Sequence, residues 1–198
     1  MTDLAPEDAA RADFYALLAR LWHSGPDAPL LAAIAGAHEM LAEGGQAEMA
    51  GAWRQLKAAA AATDAEAAQT EHEALLGGTG KAAITPYASH YLAETGRERV
   101  LVALRDDLTE LGLKRDEGSF LPEDHFAALC EVMRHLVAEG SSDAALQRQK
   151  KFFTRYMHHA YNPLTDQVMA SAKTSFYGYV ARFTKAFCDT EAASLDML

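Results

Sequence analysis

"FAALCEVMRHLV", residues 126–137, places Phe126, Leu129, Cys130, Met133, Leu136 and Val137 at the i, i+3, i+4, i+7 spacing of one helical face. The segment in front of it, "SFLPEDH" (119–125), sets a proline, two carboxylates and an imidazole ahead of that face. Pro122 suits the first position of a helix, where its missing N–H has no intrahelical partner anyway. Glu123 and Asp124 then fall in the first turn, where the helix dipole favours each by about 0.3–1 kcal/mol. At about 100° per residue, His125 sits at the edge of the apolar stripe near Leu136. Asp124 falls on the polar side with Glu131 and His135, which read as rim positions. The spacing thus predicts a half-buried imidazole beside an exposed row of carboxylates. Two readings stay open. The cluster serves as capping alone, or it receives a cationic or donor group such as a guanidinium, which carboxylates bind bidentately. A phosphate is disfavoured, because local acids occupy the terminus that an anion needs. On the second reading Asp124→Asn weakens peptide binding with little loss of stability.

Outward from this stretch, helical periodicity dominates. Phe14, Leu17, Leu18, Leu21 and Trp22 share a face of a first helix that stops at "HSGPDAP". A second helix is predicted over about 29–43, ending at Gly44-Gly45, and a third over about 46–62. Thr63 or Asp64 caps a fourth, which Gly77-Gly78 ends. Residues 77–96 break the pattern with glycines and Pro86, yet carry Ile84, Tyr87, Tyr91 and Leu92. They read as an ordered loop packed on helices, with one helical turn near 89–93. Helix returns over about 97–111, with Gly112 as its stop. The polar "KRDEGS" marks a candidate hinge at 114–122, between N-terminal helices (about 8–113) and C-terminal ones (about 122–188) of a single domain. Beyond the break at Gly140, a helix is predicted over about 143–161, a turn at Asn162-Pro163, and a last helix over about 164–188. The stripe Phe176, Tyr179, Phe183 and Phe187 reads as core, or as a helix or dimer interface. The fold class is all-α, a compact bundle of about eight or nine helices.

The chain has 198 residues with 49% apolar side chains, enough for a real core. Abundant alanine favours helix, since it loses no side-chain entropy there. A net charge of −10 repels nucleic acid phosphate and attracts basic peptides. Cys130 and Cys188 sit in amphipathic runs and read as buried thiols. The start of the chain lacks the pattern of a signal peptide. No apolar run approaches the roughly 18–20 residues that span a bilayer, so a cytoplasmic protein without stable membrane insertion is expected. "GGTGK" (77–81) fails as a phosphate loop: Leu75 and Ala82 stand where a glycine and a hydroxyl residue belong. No HExxH, CxxC or Glu-x-x-His occurs, so no metal site is expected. Neither Ser89-His90 nor Cys130 has a base and an orienting acid at a recognisable spacing, so no catalytic residue is assigned.

Four motifs then coincide in order. These are "EHEALLGG" (Glu71 or Glu73 with Leu75 to Gly78), "PYASHY" (86–91), "PEDH" (122–125) and "QKKFFTRYM" with Phe152-Phe153. Together they resemble the TorD/DmsD family of redox-enzyme maturation chaperones over about residues 8–188. The resemblance implies an all-α cytoplasmic chaperone without turnover. Its partner is the precursor of a molybdopterin oxidoreductase, bound through its twin-arginine signal peptide or as the apo-form, so that cofactor insertion precedes export. By the same resemblance Tyr87, Ser89, Glu123, Asp124 and His125 belong to the peptide-binding region or its supporting hinge. The family's later F-x-x-H-L-x-x-W pattern is altered, with Tyr156 at the histidine and Ala160 near the tryptophan. Some relatives have been proposed to bind guanine nucleotides, so GTP is the one cofactor to weigh, and a nucleotide-responsive module is one alternative. A helical interaction scaffold is the other. Both a monomer and a swapped homodimer are open.

Overall fold

The computed structural model describes residues 4–40, 47–77, 82–115 and 121–198. Among them the regular structure is helical, as the periodicity predicts. The elements are α1 (Pro6–His23), α2 (Ala28–Gly36), α3 (Ala47–Ala62), α4 (Ala65–Leu76), the single turn α5 (Ser89–Leu92), α6 (Arg97–Glu110), α7 (Phe126–Ala138), α8 (Asp143–Phe152), α9 (His158–Ala170) and α10 (Phe176–Asp196). A π-helical segment, Phe153–Met157, follows α8 and leads directly into α9. The contacts divide the chain into two units interleaved in sequence: one takes residues up to His23 with Pro86–Ala160, the other Ser24–Thr85 with Tyr161–Met197. Of the 114–122 segment, residues 116–120 lie outside the described residues, as do Gly44-Gly45 and most of "GGTGK".

The first unit is built on α1 against α7. The α7 stripe is buried as its spacing requires, from Phe126 through Val137. Burying each large apolar side chain contributes about 1.5–3 kcal/mol. Trp22 meets Phe126 edge-on, ring centroids 5.4 Å apart, so the end of α1 lies at the start of α7. At the other end of the pair Gln149 is fully buried. Its amide donates to the carbonyls of Leu136 and Gly140, at 3.3 and 3.2 Å, and its oxygen accepts from Arg11 at 3.0 Å. The two helices are therefore antiparallel. Gly140 (φ +98°) ends α7 in the left-handed region that glycine enters freely. In the π-helical segment the wider turn buries Phe153, Tyr156 and Met157 together.

In the second unit α3 packs against α10 and α2, and α4 against α10. Asp64 is the N-cap of α4, its Oδ1 accepting from Ala67 N at 2.8 Å. Two predicted boundaries are corrected. The second helix stops at Gly36, short of residue 43; the His38 carbonyl then accepts the Trp53 indole N–H at 3.0 Å. Asn162-Pro163 is no turn: α9 runs through Pro163 to Ala170. An interior proline costs a helix about 3 kcal/mol. Against that cost Tyr161, Leu164, Thr165 and Val168 are all buried. The aromatic stripe of α10 is core at Phe176, Phe183 and Phe187, but Tyr179 is 37% exposed, with Arg182 over its ring. Both cysteines are free and buried, and burial pushes the Cys130 thiol well up.

Candidate functional site

The proline loop and the start of α7 cross in the first unit as a single antiparallel bridge, Tyr87 against His125. Phe126 N donates to Pro86 O at 2.8 Å, and Ala88 N to Asp124 O at 2.8 Å. That leaves Tyr87 and His125 as the non-hydrogen-bonded pair, whose side chains come closest in an antiparallel ladder. Their rings meet edge to face with centroids 5.4 Å apart. His125 is the N-cap of α7: its Nδ1 accepts from Ala127 N at 3.1 Å. The helix thus begins at Phe126, and Glu123 and Asp124 precede it rather than filling its first turn. His125 N donates to Pro122 O at 3.1 Å, so Pro122 to His125 form a turn, His125 itself is extended, and Pro122 does not open the helix.

The consequence for Asp124 corrects the expectation of an exposed carboxylate. Asp124 is 3% exposed, and its Oδ2 accepts from Ser89 N at 3.3 Å. It caps the α5 turn from 35 residues away. His125 and Ser89 are also buried, at 5% and 6% exposure, and Tyr87 is partly covered. Four of the residues singled out by sequence therefore come together in one crossing, where the Asp124 carboxylate and the His125 imidazole accept from backbone N–H groups.

Glu123 points elsewhere. Both its oxygens accept from Arg105, Nε and Nη2 each at 3.1 Å. This fork, against some burial, holds its carboxyl below the usual range. Glu123, Glu131 and His135 line a groove of about 440 Å³ at the ends of α1 and α6 and along α7. Its floor is apolar: Ala19, Leu108, Leu113, Leu121, Ala127, Ala128 and Val132. Arg20 and His23 at the end of α1, and Lys114 and Arg115 after α6, complete its edges. Glu131 is paired with Arg134 at 2.7 Å, and His135 lies 3.5 Å from Glu139. Sequence reasoning placed the rim residues here but missed Lys114, Arg115, Ala128 and Val132. A usable signal was present, because Ala127, Ala128 and Val132 widen the apolar arc of α7 beyond its core stripe.

Two further clusters brace the units. Asp107 on α6 accepts from Tyr156 Oη at 2.7 Å, Arg155 at 2.6 Å and Lys151 at 3.2 Å. Burial alone raises its pKa, but these three partners outweigh burial and the net shift is downward. Burial, followed by the bond to Asp107, pushes the Tyr156 hydroxyl up. The π turn lets adjacent Arg155 and Tyr156 reach one carboxylate. In the second unit Glu71 accepts from Ser175 N, Phe176 N and Tyr177 N at 2.6, 2.9 and 2.8 Å, capping α10. Of the two glutamates in the "EHEALLGG" motif, Glu71 makes this contact and Glu73 is exposed. No group of three or more potential ligands is placed to hold a metal ion among the described residues. No described helix is long and apolar enough to cross a membrane.

Residues 42–164, more than half of the chain, match the protein family described as the nitrate reductase delta subunit. No curated protein matches it.

Proposed function

The chain belongs to the nitrate reductase delta subunit family, chaperones of molybdoenzyme assembly that bind the catalytic subunit, and from that premise we propose how it holds its guest. The groove of α1, α6 and α7 takes an apolar, helix-forming segment of a molybdopterin oxidoreductase precursor in the cytoplasm. The twin-arginine signal peptide is the segment expected there. Holding it keeps the apo-enzyme uncommitted until the cofactor is inserted, and release then permits export. Glu123, Glu131 and His135 form the rim. Tyr87, Ser89, Asp124 and His125 hold the start of α7 in place beneath it, so their part is support. The single observation that carries this reading is the apolar floor flanked by charged edges, the arrangement by which a helical peptide is recognised in a groove. The chain's own part is binding, with no catalytic residue and no cofactor assigned to it.

Calorimetry with a synthetic twin-arginine signal peptide tests it, using the native chain and Val132→Arg, which puts a charge on the floor. The expected result is binding to the native chain and a loss of at least about tenfold in the variant, since an uncompensated charge is poorly tolerated in an apolar contact. Unchanged affinity in Val132→Arg moves the guest off the groove. Peptides with Lys-Lys or Gln-Gln in place of the arginines address the rim. Equal affinity for all three removes the arginine pair from recognition and leaves only the apolar part.

A further inference from the structure

The two edges of the groove differ in what they leave available. On the α7 edge Glu123 is held by Arg105 and Glu131 by Arg134. A guest cation arriving there competes with an arginine already in place. On the α6 edge the chain leaves the helix through two bonds, Leu113 N to Leu108 O at 2.8 Å and Gly112 N to Thr109 O at 3.0 Å. With Gly112 at φ +70°, this is the Schellman closure of a helix end. Leu108 and Leu113 thereby become part of the floor, and Lys114 and Arg115 follow immediately, both exposed. The positive charge of Arg115 reaches Glu123, whose oxygens the Arg105 fork already occupies. No ion pair of Lys114 is found among the described residues. The acids next in sequence, Asp116 and Glu117, lie outside those residues.

We propose that the Lys114–Arg115 edge reads a carboxylate on the guest: the segment seated in the groove is an apolar helix carrying an acidic residue on its α6-facing flank. The inference rests on the groove being the guest site and is independent of the arginine pair. Among the described residues Lys114 has no acid to give up, so a guest carboxylate adds more there than a guest cation adds at Glu131, which Arg134 already holds. In a chain of net charge −10, the same edge singles out the acidic flank that the rest of the surface repels.

The test uses three synthetic leucine-alanine helical peptides with the same apolar face and Glu, Gln or Lys along one flank, titrated into the full chain at low salt. The Glu peptide is expected to bind about two- to fivefold tighter than the Gln peptide, the range for an exposed ion pair. The preference should fade as salt rises. In Lys114→Gln/Arg115→Gln the Glu-to-Gln affinity ratio falls towards one. Should that variant fail to fold, the ordering of the three peptides on the native chain decides alone. Equal binding of all three, or tightest binding of the Lys peptide, overturns the carboxylate and leaves the groove standing. If no peptide binds, or if Val132→Arg leaves binding intact, the groove itself is wrong and the inference goes with it.

Discussion

Asp124 and Glu123 are neighbours in the chain, and they meet opposite fates. Asp124 is turned inward, where its carbonyl and carboxylate accept the N–H groups of Ala88 and Ser89. Glu123 is turned to the groove and binds Arg105, whose side chain is 56% exposed. The first arrangement ties a buried acid to a backbone donor, Ser89 N, that cannot leave without loosening the loop. The second pairs an acid with a long, solvated side chain that exchanges partners at little cost. A carboxylate of the first kind supports a fold, and one of the second kind can meet a guest. A motif that contains both, such as Pro122–His125, therefore mixes scaffold and surface, and its residues separate only by what each one touches.

The largest effect that sharpens this contrast comes from Asp124→Ala. It strands the buried Ser89 N–H and frees the α5 turn, so a loss of about 1–3 kcal/mol in urea denaturation is expected. Peptide affinity, measured at a temperature where the variant is still folded, changes less than stability does. A variant that keeps its stability but loses peptide puts Asp124 back among the guest contacts and breaks the contrast.

How far the sequence showed these roles depends on the range of the contacts that set them. The α7 stripe and the Asp64 cap are local, three or four residues apart, and were legible. So was the Gly112 stop, which also fixes where Lys114 begins. The burial of Asp124 is not local, because Ser89 lies 35 residues away, and helical projection placed it on the polar side. The same holds for Glu71, whose three bonds cap a helix more than 100 residues further on. The start of α7 was misplaced because the backbone of the proline loop takes up Asp124 O and Phe126 N, and a turn precedes the helix. The place of Lys114 and Arg115 on a groove with Leu108 and Val132 was not legible either, because nothing near "KRDEGS" in sequence reveals those neighbours. Periodicity reports first which face a helix buries against its own unit; a second, shallower apolar face shows only as a widening of that arc, as at Ala128 and Val132.

A smaller effect is expected at Asp107, the buried acid whose partners are half-exposed cations and a tyrosine. Its folded pKa lies below the ordinary 3.8, so the contribution is of the usual carboxylate sign. Stability from this group is complete above the unfolded value and drains away as pH falls through the lower, folded one. Asp107→Asn should flatten the acid limb of the stability curve and leave the shape near neutrality alone. It also loosens the α6 wall next to Leu108, so a modest fall in peptide affinity accompanies it. An acid limb identical to that of the native chain would remove Asp107 from the acids whose pairing supports the fold.

The smallest effect on stability is expected from Glu123→Gln, and it bears most directly on the difference between neighbours. The Arg105 fork is well formed, but the guanidinium is more exposed than covered, and such pairs contribute about 0–1 kcal/mol. Gln retains one acceptor for the guanidinium, so the denaturation midpoint should barely move. The readout that matters is the salt dependence of binding to the twin-arginine peptide. If Glu123 meets the guest, its loss makes that dependence shallower, because one screened attraction disappears. If it only anchors Arg105 and the guest sits out of its reach, affinity and slope both stay as in the native chain. A pair of titrations at low and moderate salt therefore decides whether the residue beside Asp124 faces the guest or merely the protein.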